Sequence, residues 1–175
     1  MQVKSTFEDL VRQRAAELKQ QADSNRVDWN ERKVWWVSKV EQLLDTVQRD
    51  WLRKLIDSGT LQFTKRNIRC SEEVLGEYEI ACAKISLGGQ ELELQPKATV
   101  IVGGFGRIDA KGPNGSVMLL LCAPDTKAVA PDKLRDSAEW YVTGRGLIGS
   151  VISPLQPLNK ASFEQLFADL FGIGN

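Results

Sequence analysis

The residues that could perform chemistry include two glycine-rich segments, residues 103–106 and 144–149. Residues 144–149 spell GxGxxG after an apolar run, which is the pattern of a dinucleotide-binding loop. That loop works only where a helix starts at the last glycine, so that the helix N-terminus faces a pyrophosphate. Here residues 150–154 are β-branched and end in proline. We therefore expect a glycine-rich loop between two strands rather than a dinucleotide site.

A charged strand is the second chemical feature. Its charged residues Arg107, Asp109 and Lys111 stand at steps of two, which places them on one face of a strand. They could form an anion-binding patch beside the glycine segments, or a solvated face next to a glycine bulge. The candidate ligand-binding residues are Arg107, Asp109, Lys111, Arg145, Gly104 and Gly106. A magnesium-dependent nuclease needs a second carboxylate and a lysine on the neighbouring strand. Residues 117–122 carry neither, so this activity is excluded.

The chain contains no histidine. This removes the commonest general base and the commonest metal ligand, and with them histidine-dependent hydrolysis and histidine-ligated zinc. Carboxylate–magnesium chemistry, lysine chemistry and backbone anion binding remain open. We predict no catalytic residue, no metal site and no cofactor, and we favour a protein that is not an enzyme.

Charge and cysteine usage bear on the compartment and the partners. The chain has 23 lysines and arginines against 23 aspartates and glutamates, so bulk charge favours neither nucleic acid nor an anionic membrane. No stretch approaches the roughly 20 apolar residues that span a bilayer. The three cysteines, Cys70, Cys82 and Cys122, form no CxxC pair. This usage indicates reduced thiols in a soluble cytoplasmic protein.

Helical periodicity covers the first third of the chain. A capping box at Ser5–Glu8 precedes an apolar stripe, and Asp28, with Glu31 three positions on, begins a second helix. That helix is predicted to run to Ser58-Gly59, about thirty residues. The stripe of the first helix is Phe7, Leu10, Val11, Arg14 and Leu18; the stripe of the second is Trp36, Val40, Leu43, Leu44, Val47, Trp51 and Leu55.

Beyond residue 60 the pattern becomes that of short strands. Gly88-Gly89 and the Pro-Asn-Gly of residues 113–115 are typical of hairpin turns. Asn159 and Gly172 bracket a last helix. Strands are predicted at residues 61–63, 68–70, 77–87, 90–95, 99–102, 106–111, 116–122, 140–143 and 147–152. The prediction is an α+β fold: an N-terminal helix pair (1–58), then an antiparallel sheet of about five to seven short strands with a C-terminal helix (59–175), packed as one domain.

Aromatic residues supply the leading functional hypothesis. Trp29 and Trp35 lie off the centre of the second helix's stripe, and with Phe105 they are candidate partner contacts. The alternative is that the tryptophans pack against the first helix or the sheet and that Phe105 folds back onto the core. We expect a non-catalytic cytoplasmic interaction or assembly protein of bacterial type, acting through its long tryptophan-bearing helix. The simplest version is a homodimer. The alternative is a small-ligand or nucleotide-binding module, or an enzyme, that uses the charged strand face and the glycine loops.

Overall fold

The computed structural model describes residues 6–24, 26–123, 132–143 and 155–174. It confirms the α+β class, with helices at both ends of an antiparallel sheet. The helices are α1 (Phe7–Ser24), α2 (Trp29–Thr46), α3 (Arg53–Asp57) and α4 (Lys160–Phe171), with a π-helical turn at Val47–Trp51 and a 3-10 helix at Asp132–Ser137. The strands are β1 (Gln62–Glu72), β2 (Gly76–Leu87), β3 (Gln90–Ala98), β4 (Gly106–Gly112), β5 (Gly115–Cys122), β6 (Glu139–Val142) and β7 (Gln156–Pro157).

The sheet is a seven-stranded meander in which each strand pairs with the next one along the chain. Both predicted hairpin turns are confirmed. Gly88 and Gly89 have φ angles of 56° and 84°, which a two-residue turn needs at both central positions and which glycine adopts without strain. The β4–β5 turn closes on Gly115, whose φ is 128°. Turn chemistry therefore sets the register of these two hairpins.

Side-chain caps define the starts of the helices. Asp28 accepts a hydrogen bond from the amide of Glu31 at 3.1 Å, as predicted. The capping box of α1 lies one residue after its predicted position. Thr6 is the cap, its hydroxyl accepting from the amide of Asp9 at 3.3 Å, while the Asp9 carboxylate accepts from the Thr6 amide at 3.1 Å. Hydrogen bonds from Thr6 lower the pKa of Asp9.

The second predicted helix is interrupted by the π-helical turn. The amide of Leu52 donates to the carbonyl of Val47 at 2.9 Å, five residues back. The extra residue in this turn rotates the helix that follows. Leu52 is therefore buried and Ile56 packs against the core, whereas Leu55, predicted on the stripe, is exposed. The predicted end is confirmed at Gly59, which has a φ of 74°.

Two strand predictions need correction. The strands predicted at 61–63 and 68–70 are one continuous strand, β1, which begins at Gln62. Residues 99–102, predicted as a strand covered on both faces, form a turn in which Val102 is 89% exposed. The β3 register shifts between Pro96 and Ala98, and Gly103, at φ 76°, reverses the chain. The apolar run therefore meets no pairing strand. The strand predicted at 147–152 lies outside the described residues.

Helices α2 and α4 cover one face of the sheet. Trp36 of α2 lies over Gly106 of β4, and Leu170 of α4 lies over Gly112 at the end of the same strand. Lys65 of β1 reaches α2 through Glu41 (2.6 Å) and Asp45 (3.0 Å). The largest fully buried side chains are Trp36, Phe105, Phe163, Leu44, Ile80, Ile85, Leu92, Leu94, Ile108, Leu119, Leu121 and Leu170. Helix α1 contributes nothing to this core, because every described side chain from Thr6 to Asp23 is exposed.

Candidate functional site

The predicted charged face exists on β4. Arg107, Asp109 and Lys111 alternate with residues that are buried on the other side of the strand. The guanidinium of Arg107 makes a two-pronged contact with the Asp109 carboxylate, Nε–Oδ1 at 2.6 Å and Nη2–Oδ2 at 3.0 Å. This pairing raises the pKa of Arg107. An incoming anion has to displace Asp109 first. Lys111 stands opposite Glu93 of β3, and Arg145 lies outside the described residues.

The glycines beside this face make room for packing. A Cβ on Gly106 would lie 2.0 Å from Cζ3 of Trp36, and one on Gly104 would lie 2.9 Å from the carbonyl oxygen of Leu121. Both glycines are buried. The space above Gly106 is therefore filled by an indole ring, and these glycines are explained without a ligand. The second glycine segment, residues 144–149, lies outside the described residues.

The aromatic residues expected to meet a partner are engaged inside the molecule. Phe105 is 0% exposed, and its ring packs edge-on against Trp35 with the centroids 6.0 Å apart. It is held there by its amide, which donates to the carbonyl of Leu121 at 2.7 Å. Trp29 and Trp35 are half-buried and pack against the core. Phe105 is thus closed to a partner, which corrects the expectation of an accessible aromatic.

A buried arginine near the start of α2 is the most elaborate polar feature. Arg32 is 5% exposed. Its Nε donates to the hydroxyl of Thr99 at 2.9 Å, its Nη2 to the carbonyls of Thr99 (2.8 Å) and Phe105 (3.3 Å), and its Nη1 to Oδ1 of Asp132 at 2.6 Å. Burial lowers the pKa of Arg32, and the hydrogen bond that Arg32 donates to Asp132 opposes this. One side chain thus ties α2 to the 99–105 turn and to the 3-10 helix.

A carboxylate holds the other side of the 99–105 turn. Glu72 accepts hydrogen bonds from the amides of Thr99 and Val100, both at 3.0 Å, and from the hydroxyl of Tyr78 at 2.5 Å. Burial, and then Glu72, raise the pKa of Tyr78. The turn is therefore fixed by a cation on one side and an anion on the other, although Val102 at its tip is exposed.

Residue types and spacing did not predict this network. A signal for Arg32 was present, because it stands four residues before Trp36 on the apolar stripe of the helix. A cation on a buried stripe requires a buried partner. The identity of that partner could not be found from spacing, because Asp132 is 100 positions away in the chain. Only the folded meander brings the two together.

The three thiols are poor candidates for nucleophiles. All three are free, and Cys82 and Cys122 are buried. Burial raises the pKa of each, and for Cys82 burial and then the hydrogen bond to Glu93 raise the pKa to about 12. The thiolate, which is the reactive form, is therefore disfavoured. Across the described ranges, no cluster of acidic, histidine or cysteine residues could hold a metal ion.

Two of the uncovered surfaces of the described structure bear on function. One is the apolar stripe of α1, where Phe7 is 81% exposed and Leu10, Val11 and Leu18 are exposed as well. The other is the outer edge of β1, which no other strand pairs with in the part of the chain that the structure describes. No helix in the described ranges is long and apolar enough to cross a membrane.

The sequence matches no family model, no curated protein and no solved structure. Function is therefore argued from the chemistry of the residues and from the surfaces left uncovered. The charged face of β4 is paired within itself and the glycines serve packing, whereas the stripe of α1 has no partner in the described residues. The uncovered helix is the feature from which a function is proposed.

Proposed function

We propose that this chain is a non-catalytic protein-interaction protein that associates with a second copy of itself through helix α1. The observation that supports this is the exposure of an entire helix whose apolar residues lie along one side. An isolated helix of 18 residues is marginally stable in water and gains most of its stability from packing its apolar side. A partner that covers the stripe supplies that packing.

The contact surface differs from the one the tryptophans suggested. On α2, Trp36 packs against Trp140 with the ring centroids 6.0 Å apart, and Trp51 at the following turn packs against Phe163 at 5.2 Å. Trp35 lies against Phe105. These rings fix α2 to the sheet and to α4, so the long tryptophan-bearing helix serves as the base from which α1 projects.

The two helix macrodipoles favour a second copy in the antiparallel direction, because antiparallel dipoles attract each other. Acidic residues stand at both ends of α1, with Glu8 and Asp9 in the first turn and Asp23 in the last. Side-chain charge therefore selects neither direction, and the antiparallel arrangement is proposed from the dipoles.

The size of the stripe sets the strength of association. Each copy contributes four large apolar side chains, Phe7, Leu10, Val11 and Leu18, and burying such a side chain fully contributes roughly 1.5–3 kcal/mol. Association itself costs about 4–15 kcal/mol in lost freedom. We take a micromolar dissociation constant, about 8 kcal/mol, as the value to be tested, because it lies near the middle of the range that these two terms leave. With three free thiols, we place this dimer in the reducing cytoplasm.

Sedimentation equilibrium of the full chain tests the proposal. The wild-type chain is expected to pass from monomer to dimer as its concentration rises through the micromolar range. The double variant Leu10→Glu, Leu18→Glu is expected to stay monomeric, because it places charge in the contact. The matched control is Gln13→Glu, Gln20→Glu, which adds the same charge away from the centre of the stripe and is expected to keep the dimer. Thermal unfolding checks that each variant is folded.

Two outcomes contradict the proposal. One is a wild-type chain that remains monomeric up to about 1 mM, well above the concentration that a micromolar dimer requires. The other is a dimer that survives the Leu10→Glu, Leu18→Glu change, because the contact then lies elsewhere.

A further inference from the structure

The two edges of the sheet differ in length and in protection. Strand β7, at one edge, has two residues and includes Pro157, which has no amide hydrogen to donate. Strand β1, at the other, has 11 residues, about twice the average strand length. Its register with β2 runs from Gln62 to Glu72 without a shift, and it contains no proline. The usual devices that close an edge, namely bulges, prolines and shortness, are missing from β1.

An edge strand of this kind offers a row of backbone donors and acceptors. In an antiparallel pair, alternate residues direct their N–H and C=O groups away from the partner strand. Residues 64–67 are all exposed, so an approaching chain has access to this row. An added strand gains main-chain hydrogen bonds along β1, the mode of recognition called β-strand addition.

The charges on β1 indicate which kind of strand pairs with its outer edge. Lys65, Arg66 and Arg69 are basic, and the one acid, Glu72, is turned toward the amides of the 99–105 turn. Arg69 is 73% exposed, with a long contact of 3.8 Å to Glu77. Arg66 is also mostly exposed and contacts Glu93 through one nitrogen, at 3.3 Å. Both guanidinium groups keep donors free for a carboxylate.

The same charges disfavour a second copy at this edge. Antiparallel pairing of β1 with itself about Asn67 sets Lys65 opposite Arg69, and does so twice by symmetry. Like charges placed directly opposite across two strands are destabilising. In that register the edge repels a second copy, so we assign the occupation of β1 to a different partner from the self-association through α1.

We infer that the outer edge of β1 binds an extended acidic segment of a partner protein, which adds as a further strand beside Arg66 and Arg69. The backbone supplies the hydrogen-bond ladder. Arg66 and Arg69 are three positions apart and lie on opposite faces of the strand, so they select glutamate or aspartate on both faces of the segment. The inference is independent of the α1 contact, since neither surface includes a residue of the other.

Fluorescence anisotropy with a labelled synthetic peptide tests the inference. The probe has about eight residues, enough to match a typical strand, with pairs of glutamates alternating with pairs of threonines so that both faces carry carboxylates. Its controls are the same peptide with lysine in place of glutamate, and the acidic peptide with alternate backbone amides methylated. The acidic peptide is expected to bind, and both controls are expected to bind at least about tenfold more weakly. Amide hydrogen exchange is expected to slow in β1 when the acidic peptide is present.

Variants locate the site. Arg66→Glu with Arg69→Glu is expected to weaken binding at least about tenfold, and the milder Arg66→Gln with Arg69→Gln to weaken it less. The matched control, Arg49→Glu with Lys54→Glu, reverses two exposed charges away from β1 and is expected to leave binding unchanged. The monomeric Leu10→Glu, Leu18→Glu variant is expected to bind as the wild type does, which separates this test from the test of α1.

Three results obtained with the peptides overturn the inference. They are equal binding of the lysine peptide, unchanged hydrogen exchange in β1 at saturating peptide, and no binding of the acidic peptide up to about 1 mM. Slowed exchange in β1 that depends on protein concentration without any peptide also overturns it, because a second copy then occupies the edge.

Discussion

Helices α1 and α2 have the same length, 18 residues each, and both carry an apolar stripe at helical spacing. Helix α2 buries five residues and α1 buries none. The difference lies in what each helix meets. Helix α2 carries large rings that fit over a glycine of the sheet and a cation that reaches across the fold, whereas α1 offers only a narrow stripe. Amphipathic spacing therefore predicts a helix, and the contents of its stripe decide whether the chain itself covers it.

The largest expected effect comes from removing the polar attachment of α2 to the 99–105 turn and the 3-10 helix. Arg32→Met removes the donor to Thr99, Phe105 and Asp132 and leaves the Asp132 carboxylate with fewer partners. Removing one member of a buried ion pair costs about 3–5 kcal/mol. Urea unfolding followed by circular dichroism measures the loss. The control, Arg49→Met, removes an exposed arginine and is expected to change stability by less than about 0.5 kcal/mol. A loss below about 1 kcal/mol for Arg32→Met contradicts the structural role given to it.

The second prediction makes the same chemical change on both helices. Leu44→Ala on α2 leaves a cavity in the core and is expected to cost about 2–5 kcal/mol. Leu18→Ala on α1 removes an exposed side chain and is expected to change the stability of a dilute, monomeric sample by less than about 0.5 kcal/mol. Urea unfolding measures both. Equal losses contradict the contrast between the helices, because α1 is then packed in solution.

The third prediction tests the fit of α2 on the sheet. Gly106→Ala places a methyl group where the Trp36 ring lies, 2.0 Å from Cζ3. Overfilling a packed core in this way costs about 1–3 kcal/mol. The double variant Gly106→Ala, Trp36→Phe is the control, because the smaller ring leaves space for the methyl group and part of the loss is expected to be recovered. Additive losses in a double-mutant cycle contradict direct contact.

The smallest expected effect compares the two N-terminal caps. Asp28→Ala removes the cap of α2 and is expected to lower global stability by about 0.5–2 kcal/mol. Thr6→Ala removes the cap of α1 and is expected to speed amide exchange in its first turn only. Because hydrogen bonds from Thr6 lower the pKa of Asp9, the cap of α1 is present at neutral pH and is lost as the pH falls through that lowered pKa. A global loss from Thr6→Ala contradicts the picture of a free helix.

The sequence was sufficient where the structure depends on neighbours along the chain. Asp28 as a cap and Gly88-Gly89 as a turn follow from local hydrogen bonding and from φ angles, so they could be predicted. Residues 99–102 could not, because a β-branched run becomes a strand only if another strand pairs with it. The π-helical turn was also missed. Its one-residue shift exchanges Leu55 for Leu52 at the core, and helical spacing alone does not indicate where such a shift occurs.

The candidate site follows the same division. The alternation of Arg107, Asp109 and Lys111 on one face could be seen in the sequence. The pairing of Arg107 with its own neighbour depends on rotamers, which spacing does not specify. The buried contact of Arg32 with Asp132 joins residues far apart in sequence, so it depends on the complete meander. The exposure of α1 likewise depends on the whole fold, because it requires that no other described element packs against this helix.

The position of Trp36 has a consequence for the order of synthesis. Helix α2 leaves the ribosome before Gly106 and Trp140, the residues against which its indole packs, have been made. At about 5–20 residues per second, the apolar side of α2 stays without its final cover for several seconds in each round of translation. The β1–β2 hairpin is completed first and gives Lys65 its contacts with α2. The growing chain therefore presents the indole of Trp36 before the strands that cover it have been made.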